Sequence, residues 1–343
     1  MKKTARRYMI IISAIVILVV IAFIAAKMTI GSIMHNEQPV FIYIDHDDDI
    51  DSVCAKIEDA GQPSTMTGFK LLAKLTKYQS NIRTGRYVID PGMTMLQLVR
   101  RLRNHEQCPV QLVVPSVHTT DKLAERLCQS LMIDSAAISK VMHNPTLQHQ
   151  WGYNDTTLMA MIIPNTYEVW WDISANQLIE RLHKESENFW DKTRKSKAAK
   201  LGLKPTEVVT LASIVDSETA YTPEKPTIAG LYLNRLMKGM PLQSDPTILF
   251  AIGDFTRQRV LSEDLQVESP YNTYKYAGLP PGPIRMASIS AIDAVLNPLK
   301  SDYIYMCAKE DFSGSHNFAV TYSEHMANAR RYQQALNQRG IRK

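Results

Sequence analysis

The residues with the clearest chemical potential lie in a helical segment that carries one carboxyl group on its apolar side. Residues 208–220 read VVTLASIVDSETA, with apolar residues at the i, i+3, i+4 and i+7 positions of a core-facing helix. At about 100° per residue, Glu218 lies roughly 20° around the axis from Leu211, whereas Asp216 is about 160° from Glu218. Apolar surroundings raise the pKa of a carboxyl group, so that it keeps a proton near neutral pH. We therefore expect Glu218 to continue the apolar stripe as a general acid and Asp216 to leave it. A helix-end glutamate that turns to solvent is the alternative.

Three short segments after Glu218 combine polar and aromatic residues in a way that suits a binding site. They read LQSDPT at 242–247, SPYNTY at 269–274 and GLPPGPI at 278–284, with prolines that stiffen the loops. Aromatic rings interleaved with Asn, Gln and Thr suit a sugar, whose ring faces stack and whose edges present hydroxyls. For the last segment, a proline-rich connector between core elements is the alternative. The candidate ligand-binding residues are Gln243, Asp245, Thr247, Tyr271, Asn272, Thr273, Tyr274, Pro281 and Gly282.

A segment near the C-terminus supplies the last candidate residues. GSHNF at 314–318, followed by an acid and His325, places two histidines near a predicted helix start. His316 and Asn317 are candidate ligand-binding residues, although a lone histidine is more often structural than a metal ligand. The sequence has no CxxC pair and no His/Cys spacing typical of a metal site. We predict neither a metal nor a cofactor.

The N-terminus predicts a membrane anchor. Tyr8–Ala26 is an uncharged run of 19 residues, which as a helix nearly matches the roughly 30 Å hydrocarbon core of a bilayer. The basic residues at positions 2, 3, 6 and 7 precede it, so the short N-terminus should stay in the cytoplasm while the rest of the chain crosses. A signal peptide cleaved near Ala26 is the alternative.

Charge and cysteine content narrow the function classes. The net charge of +5 is local, because the first 30 residues hold five basic and no acidic residues and leave 34 of each in the remainder. We therefore predict no nucleic-acid binding. The cysteines stay without a role, and a Cys108–Cys128 bridge is one option in an oxidising compartment that the sequence does not decide. The four cysteines are Cys54, Cys108, Cys128 and Cys307.

The chain outside the membrane, about 310 residues, exceeds what one core usually organises, so a smaller and a larger unit are expected. Strand alternation from Pro39, followed by helix and turn patterns, predicts a compact α+β unit of about 70 residues. Asp45–Asp51 is interpreted as turn and N-cap residues, with a metal site as the alternative. The predicted organisation is a cytoplasmic N-terminus at 1–7, a transmembrane helix at 8–28, the small α+β subdomain at 38–108 and a larger α+β catalytic domain at 109–343.

Five ordered motifs carry a resemblance to a known family. LASIVDSETA, LQSDPT, SPYNTY, GLPPGPI and GSHNF with T..EH behind it, all after one apolar N-terminal helix, resemble the endolytic murein transglycosylases, the MltG or YceG-like proteins. The family's catalytic glutamate, which precedes Thr in an E-x-E-T motif, falls on Glu218. The first motif acid, usually Glu, is Asp216 here, which keeps the charge. Asn165 stands where the family's F-P-D-T-Y loop has Asp, so any ionic role there is lost.

The resemblance implies an inner-membrane enzyme with a periplasmic catalytic domain that cuts inside the glycan strands of peptidoglycan. It also implies a LysM-like subdomain at 38–108 and partners in cell-wall synthesis such as penicillin-binding proteins. One acid can suffice for the reaction. Glu218 protonates the glycosidic oxygen and then acts as base on the muramyl 6-hydroxyl, which closes onto C1 to give a 1,6-anhydro sugar.

Two other functions remain open on sequence grounds. A hydrolytic muramidase needs a water molecule and a second carboxylate, for which Asp245 is the candidate. A non-catalytic peptidoglycan-binding anchor would tolerate the loss of Glu218.

Overall fold

The computed structural model describes residues 2–30, 38–61, 63, 66–257 and 259–339, and it mixes helices and short strands, as an α+β chain should. The chain divides into two compact units. Two short segments from later in the chain belong to the N-terminal unit. A single boundary position in the sequence therefore does not separate the two units. The first unit is Met1–Leu112 with Ser130–Met132 and Glu168–Ile173, and the second is Val113–Gln129, Ile133–Tyr167 and Ser174–Lys343.

Helix α1 (Lys2–Ile30) contains the predicted anchor Tyr8–Ala26. Its window Arg7–Ile24 is long and apolar enough to cross a membrane, and none of that window is buried in the protein. No protein core therefore accounts for its apolar side chains, and the helix is compatible with membrane anchoring.

The first unit encloses an apolar core between a two-stranded sheet and helices. The strands are antiparallel, with Val40 opposite Ile89 and Ile44 opposite Gly85. The acidic cluster opens a helix as expected, because the Asp49 carboxylate accepts the N–H groups of the first helical turn at 2.8 and 3.0 Å. The elements are β1 (Val40–Ile44), α2 (Ile50–Gly61), α3 (Thr67–Leu75), β2 (Gly85–Ile89) and α4 (Met95–Arg103).

The next part of the chain consists of a second two-stranded sheet and short helices. The helix that begins at Thr120 ends at Leu127, and the chain continues as a single 3-10 turn. The two strands of this sheet pair with each other. The elements are β3 (Val110–Val113), α5 (Thr120–Leu127), α6 (Ser135–Met142), α7 (Pro145–Gln150), β4 (Thr166–Val169), α8 (Ala175–Phe189) and α9 (Lys192–Lys200).

Helix α10 (Pro205–Glu218) lies at the centre of the second unit. Residues 208–215 are all buried, because apolar side chains cover every face of this helix and it packs against α11 and α13. It ends at Glu218, two residues before the predicted end, where Thr219 turns to an extended conformation. The remaining elements are α11 (Lys225–Met237), α12 (Asp245–Ile252), α13 (Ile289–Leu296), the antiparallel strands β5 (Tyr305–Ala308) and β6 (His316–Ala319), and α14 (Tyr322–Gln338).

The four cysteines are free thiols, so the Cys108–Cys128 bridge left open by the sequence is not formed. Burial raises the pKa of the Cys54 and Cys307 thiols. These two groups are therefore protonated at neutral pH and poor nucleophiles.

The expectation that Asp216 leaves the interior is wrong. Its side chain is 9% exposed and accepts hydrogen bonds from Lys225 Nζ at 2.5 Å and from the Ser288 N–H at 2.9 Å. Lys225 is itself 6% exposed. Because neighbouring helices enclose α10, both of its C-terminal carboxyl groups lie in the protein interior, and they differ in their partners.

We predict that Asp216→Asn destabilises the protein by about 3–5 kcal/mol, because it leaves the buried Lys225 ammonium without a counter-charge. Glu218→Gln is the matched control on the same helix and should cost less, since it breaks no ion pair. Thermal unfolding of the full-length chain in detergent measures both effects. Equal midpoints for Asp216→Asn and the unmodified protein would contradict a structural role for the ion pair.

Candidate active site

Glu218 opens onto a cavity of about 430 Å³ in the second unit. Side chains from the ends of several elements line it, so residues far apart in sequence meet around one carboxyl group. The polar lining residues are Glu218, Tyr232, Arg235, Gln243, Asp245, Tyr274, Tyr305, Cys307, His316, Tyr322 and His325.

Two hydroxyl groups fix the Glu218 carboxyl group. Tyr232 donates to Oε1 at 2.7 Å and Ser244 donates to the same oxygen at 2.5 Å. Oε2 has no hydrogen-bond partner within the described part of the chain, nor does any Lys or Arg described there form an ion pair with Glu218. Oε2 is therefore the oxygen that can carry a proton to a bound ligand.

Burial raises the pKa of Glu218 above its ordinary value of 4.5. The hydrogen bonds from Ser244 and Tyr232 stabilise the charged form of Glu218 and oppose this shift, as would a positive charge on the nearby His316 ring, whereas the nearby Asp245 carboxylate adds to it. Desolvation is the largest of these effects. Glu218 therefore holds its proton to a higher pH than a solvated glutamate, which is the property that a general acid needs.

The loop before α12 presents two further polar groups in a fixed shape. Gln243 adopts a φ of 54°, in the left-handed region that side-chain-bearing residues rarely occupy. Its N–H donates to the Thr273 carbonyl at 3.0 Å, and its Oε1 accepts from Arg235 at 3.2 Å. The Asp245 carboxylate accepts the Tyr274 hydroxyl at 2.5 Å. These contacts hold an amide and a carboxylate at the cavity wall.

Arg235 holds this loop in place through hydrogen bonds. Its guanidinium is buried and donates to the Leu242 carbonyl at 2.9 Å and to the Ile304 carbonyl at 2.7 Å, next to the start of β5. Burial lowers the pKa of Arg235 from its ordinary value. By donating to carbonyl groups of both segments, Arg235 connects the loop before α12 to the start of β5.

His316 is held by a carboxylate that sequence reasoning missed. Glu224 accepts the His316 backbone N–H at 2.8 Å with Oε1 and the ring Nδ1 at 2.8 Å with Oε2. The side chains are 8% and 15% exposed, respectively. His316 begins β6, and the predicted helix start follows at Tyr322, with Thr321 as its N-cap and His325 in its first turns.

The structure brings four of the predicted binding residues into the cavity with Glu218: Gln243, Asp245, Tyr274 and His316. Sequence reasoning assigned no role there to Tyr232, Ser244 or Arg235, because only the folded contacts identify them.

Three other predicted residues lie behind the cavity wall and bond to the loops themselves. Thr273 Oγ1 accepts the Ser244 N–H at 3.0 Å and shares a hydrogen bond with Thr247 at 2.8 Å. Asn272 donates to two carbonyl groups of its own loop and accepts the Tyr274 N–H. These buried groups position the residues that reach the cavity.

The remaining candidates do not line the cavity. Tyr271 packs on the Phe250 ring, with centroids 4.7 Å apart, and Asn317 donates to Glu310. Gly282 lies so close to the Thr156 carbonyl that a Cβ atom would be 1.8 Å from its oxygen, which explains glycine there, next to Pro281.

Two further sequence questions concern the surface and metal binding. Asn165 is exposed and lies outside the cavity lining, so the lost charge at this position does not alter the site. No group of three His, Cys, Asp or Glu residues that could hold a metal ion occurs within the described ranges.

We predict that Glu218 makes stability depend on pH. Because its folded pKa is raised, its contribution is fully present below the unfolded value and is lost as pH rises through the folded value. Glu218→Gln, which cannot ionise, should therefore gain thermal stability relative to the unmodified protein as pH rises above about 4.3. Unfolding midpoints at several pH values measure this difference. A difference that does not change between pH 4 and pH 8 would exclude a raised pKa.

The comparisons with known proteins agree on one family. A family model described as the YceG-like family matches residues 42–331. The endolytic murein transglycosylase of Bacillus subtilis (strain 168) is 39% identical over 168 residues, covering 49% of this chain and 46% of that protein. The endolytic murein transglycosylase of Streptococcus pneumoniae R6 is 28% identical over 307 residues, covering 80% of this chain and 55% of that protein. The chain thus spans about half the length of the curated relatives it matches.

A solved structure shows the same fold. A putative yceG-like protein from Listeria monocytogenes superimposes with a TM-score of 0.58 at 29% sequence identity, covering 85% of this chain and 99% of that one. The model match extends over most of the chain and includes both compact units. This chain belongs to the YceG-like family.

Proposed function

We propose that this protein is an endolytic lytic transglycosylase that cleaves the bond between MurNAc and GlcNAc within peptidoglycan strands. The observation that carries the proposal is Glu218, a carboxyl group with a raised pKa and one free oxygen at the wall of a cavity. The curated relatives are named endolytic murein transglycosylases, which supports peptidoglycan as the substrate.

The geometry suits an acid-catalysed cleavage. Glu218 Oε2 donates its proton to the glycosidic oxygen, and the bond from C1 to that oxygen breaks. The substrate's N-acetyl group stabilises the cationic sugar, and the muramyl 6-hydroxyl attacks C1 and loses its proton to a general base, for which the newly formed Glu218 carboxylate is available. The product is a 1,6-anhydro end, and no water is consumed. The hydroxyl belongs to the ring that it attacks, so proximity favours ring closure over water.

The cavity offers groups that can hold the sugar. Gln243 supplies an amide and Asp245 a carboxylate for hydroxyl and acetamido groups, and the aromatic rings of Tyr274 and Tyr322 line the same cavity. A site that combines two carboxyl groups and an amide with several aromatic rings suits a glycan.

A hydrolytic muramidase is the second candidate, because Asp245 lines the same cavity as Glu218. A second carboxylate could activate water. Asp245 already accepts the Tyr274 hydroxyl, which favours a role in binding.

We further propose a single-pass protein of the inner membrane, anchored by residues 8–28, with its larger catalytic domain at 109–343 in the periplasm. The basic residues before the apolar helix support this orientation. Residues 38–108 are proposed to form a LysM-like subdomain that contacts the glycan. Cell-wall synthesis enzymes such as penicillin-binding proteins are the proposed partners.

The products of peptidoglycan digestion test the reaction. In ¹⁸O-labelled water, the full-length protein in detergent should release unlabelled 1,6-anhydromuramyl ends from within strands, as measured by mass spectrometry. Glu218→Gln should abolish cleavage and keep glycan binding, because general acids contribute roughly 10²–10⁴-fold. Asp245→Asn separates the two candidates, since it should weaken cleavage without changing the product.

Each outcome has a clear consequence. Labelled reducing ends that depend on Asp245 would replace the transglycosylase with a muramidase. More than about 10% activity in Glu218→Gln would reject Glu218 as the acid. Binding without any cleavage by the unmodified protein would leave a peptidoglycan anchor.

The topology has its own test. Protease added to spheroplasts should digest the part of the chain after α1, because the basic N-terminus stays in the cytoplasm. A cytoplasmic marker protein must remain intact as the control. Full protection of the chain with an intact membrane would reverse the proposed orientation.

A further inference from the structure

The buried pair of Glu224 and His316 is a feature that the proposed reaction does not yet use. The Glu224 carboxylate takes two N–H donors from the same residue, the backbone N–H and ring Nδ1 of His316, each at 2.8 Å. The first of these hydrogen bonds holds the backbone at the start of β6, and the second holds the ring against a carboxylate that is 8% exposed. The pair fixes both the position and the orientation of the imidazole.

The orientation determines which nitrogen is free. Since Nδ1 points at a carboxylate, it carries the hydrogen, and in the neutral ring Nε2 is the acceptor. Nε2 has no hydrogen-bond partner among the residues that the structure describes, and His316 lines the cavity that holds Glu218. The cavity is therefore lined by a carboxyl group with a raised pKa and by a histidine whose ring nitrogen can accept a proton.

We propose that His316, positioned by Glu224, is the base that takes the proton of the muramyl 6-hydroxyl. This inference rests on the proposed transglycosylase function. The proton of Glu218 Oε2 passes to the leaving oxygen as the bond from C1 breaks. The 6-oxygen forms its bond to C1 and gives its proton to His316 Nε2. Glu218 ends as a carboxylate and His316 as an imidazolium, and solvent returns one proton to the first and removes one from the second.

This division of roles removes a demand on Glu218. A single carboxyl group would have to donate to one oxygen of the substrate and then accept from another, at a different position. Two groups on different elements, the end of α10 and the start of β6, can each act on one oxygen. The opposite charges formed at Glu218 and His316 attract each other, and Glu224 already compensates the imidazolium.

Other titratable groups around His316 must be distinguished in any pH measurement. Glu224 precedes α11, Glu218 ends α10, and the remaining groups come from α11, the loops around α12, β5 and α14. They are Arg235, Asp245, Tyr274, Tyr305, Cys307, Tyr322 and His325. Burial lowers the pKa of His325, and the charge of Arg235 adds to this.

The test is the pH dependence of kcat/KM for strand cleavage by the full-length protein. The unmodified enzyme should lose activity on the alkaline side as Glu218 ionises and on the acidic side as the base that accepts the 6-hydroxyl proton becomes protonated. His316→Gln should lower kcat by about 10²-fold or more and remove the acidic limb, leaving the alkaline one. Glu224→Gln supplies one acceptor for two N–H donors and should show an intermediate loss in kcat.

Two controls separate a proton-transfer role from a structural one. His143→Gln changes a histidine outside the cavity and should leave the profile unchanged. His316→Gly should regain part of its activity when imidazole is added, whereas a merely structural histidine would give no rescue.

The outcomes distinguish this inference from the proposed function. An acidic limb that persists in His316→Gln, or the absence of rescue by imidazole in a folded His316→Gly, would overturn the role of His316 while unlabelled anhydro ends still support the transglycosylase. Labelled reducing ends would instead overturn the proposed function and with it the 6-hydroxyl as the proton donor.

Discussion

The Glu218 carboxyl group lies at the end of a helix that its neighbours enclose on every side, and the site depends on how that group is satisfied without a counter-charge. Asp216, two residues earlier, meets a buried lysine. Glu218 meets two hydroxyl groups that both donate to Oε1. Hydroxyl donors fix the position of a carboxyl group, but they do not fully offset the free energy needed to bury its ionised form. Desolvation therefore still raises the pKa of Glu218. The same helix thus holds one carboxylate that pairs with a lysine and one carboxyl group whose pKa burial raises.

Residues in the walls of the cavity hold the two hydroxyl donors of Glu218 in position. Tyr232 comes from α11, and Ser244 comes from a loop that Arg235 and Thr273 hold in place. The strained φ of Gln243 persists because hydrogen bonds on both sides fix it, which is typical of residues at functional sites. A shift in this loop would remove a donor from Glu218 and change both its position and its pKa. The buried polar network is therefore part of the reactive group.

Parts of the fold that depend on residues close together in the sequence could be predicted, whereas parts that depend on residues far apart could not. The alternation in β1 and the helical periods of α2 to α4 are local signals, and these elements form where the pattern predicts them. Asp216 was misjudged because a helical projection assumes one solvent-facing side, whereas three packed helices leave α10 none. The helical projection of α10 correctly placed Glu218 on the apolar side, and the carboxyl group can still reach the cavity because the helix ends at this residue. Its donors were not predictable, since Ser244 is 26 residues away along the chain.

The loops show the limits of composition. Amides and hydroxyls at 242–247 and 269–274 indicated a binding surface. The side chains of Asn272 and Thr273 instead form hydrogen bonds with backbone groups of the loops. Short polar side chains next to turns often satisfy the local backbone, and sequence does not separate that use from ligand binding. Glu224 gave no signal because its partner His316 is 92 residues away.

We infer that Glu218 carries a proton at neutral pH, and the carbonyl stretching band of its carboxyl group tests this directly. Infrared difference spectra between the unmodified protein and Glu218→Gln at pH 7 should contain the band of a protonated carboxylic acid, which disappears as pH rises. Asp216→Asn should give the bands of an ionised carboxylate under the same conditions. If the Glu218 difference spectrum at pH 7 contains only carboxylate bands, Glu218 is not held in its acid form and the account is wrong.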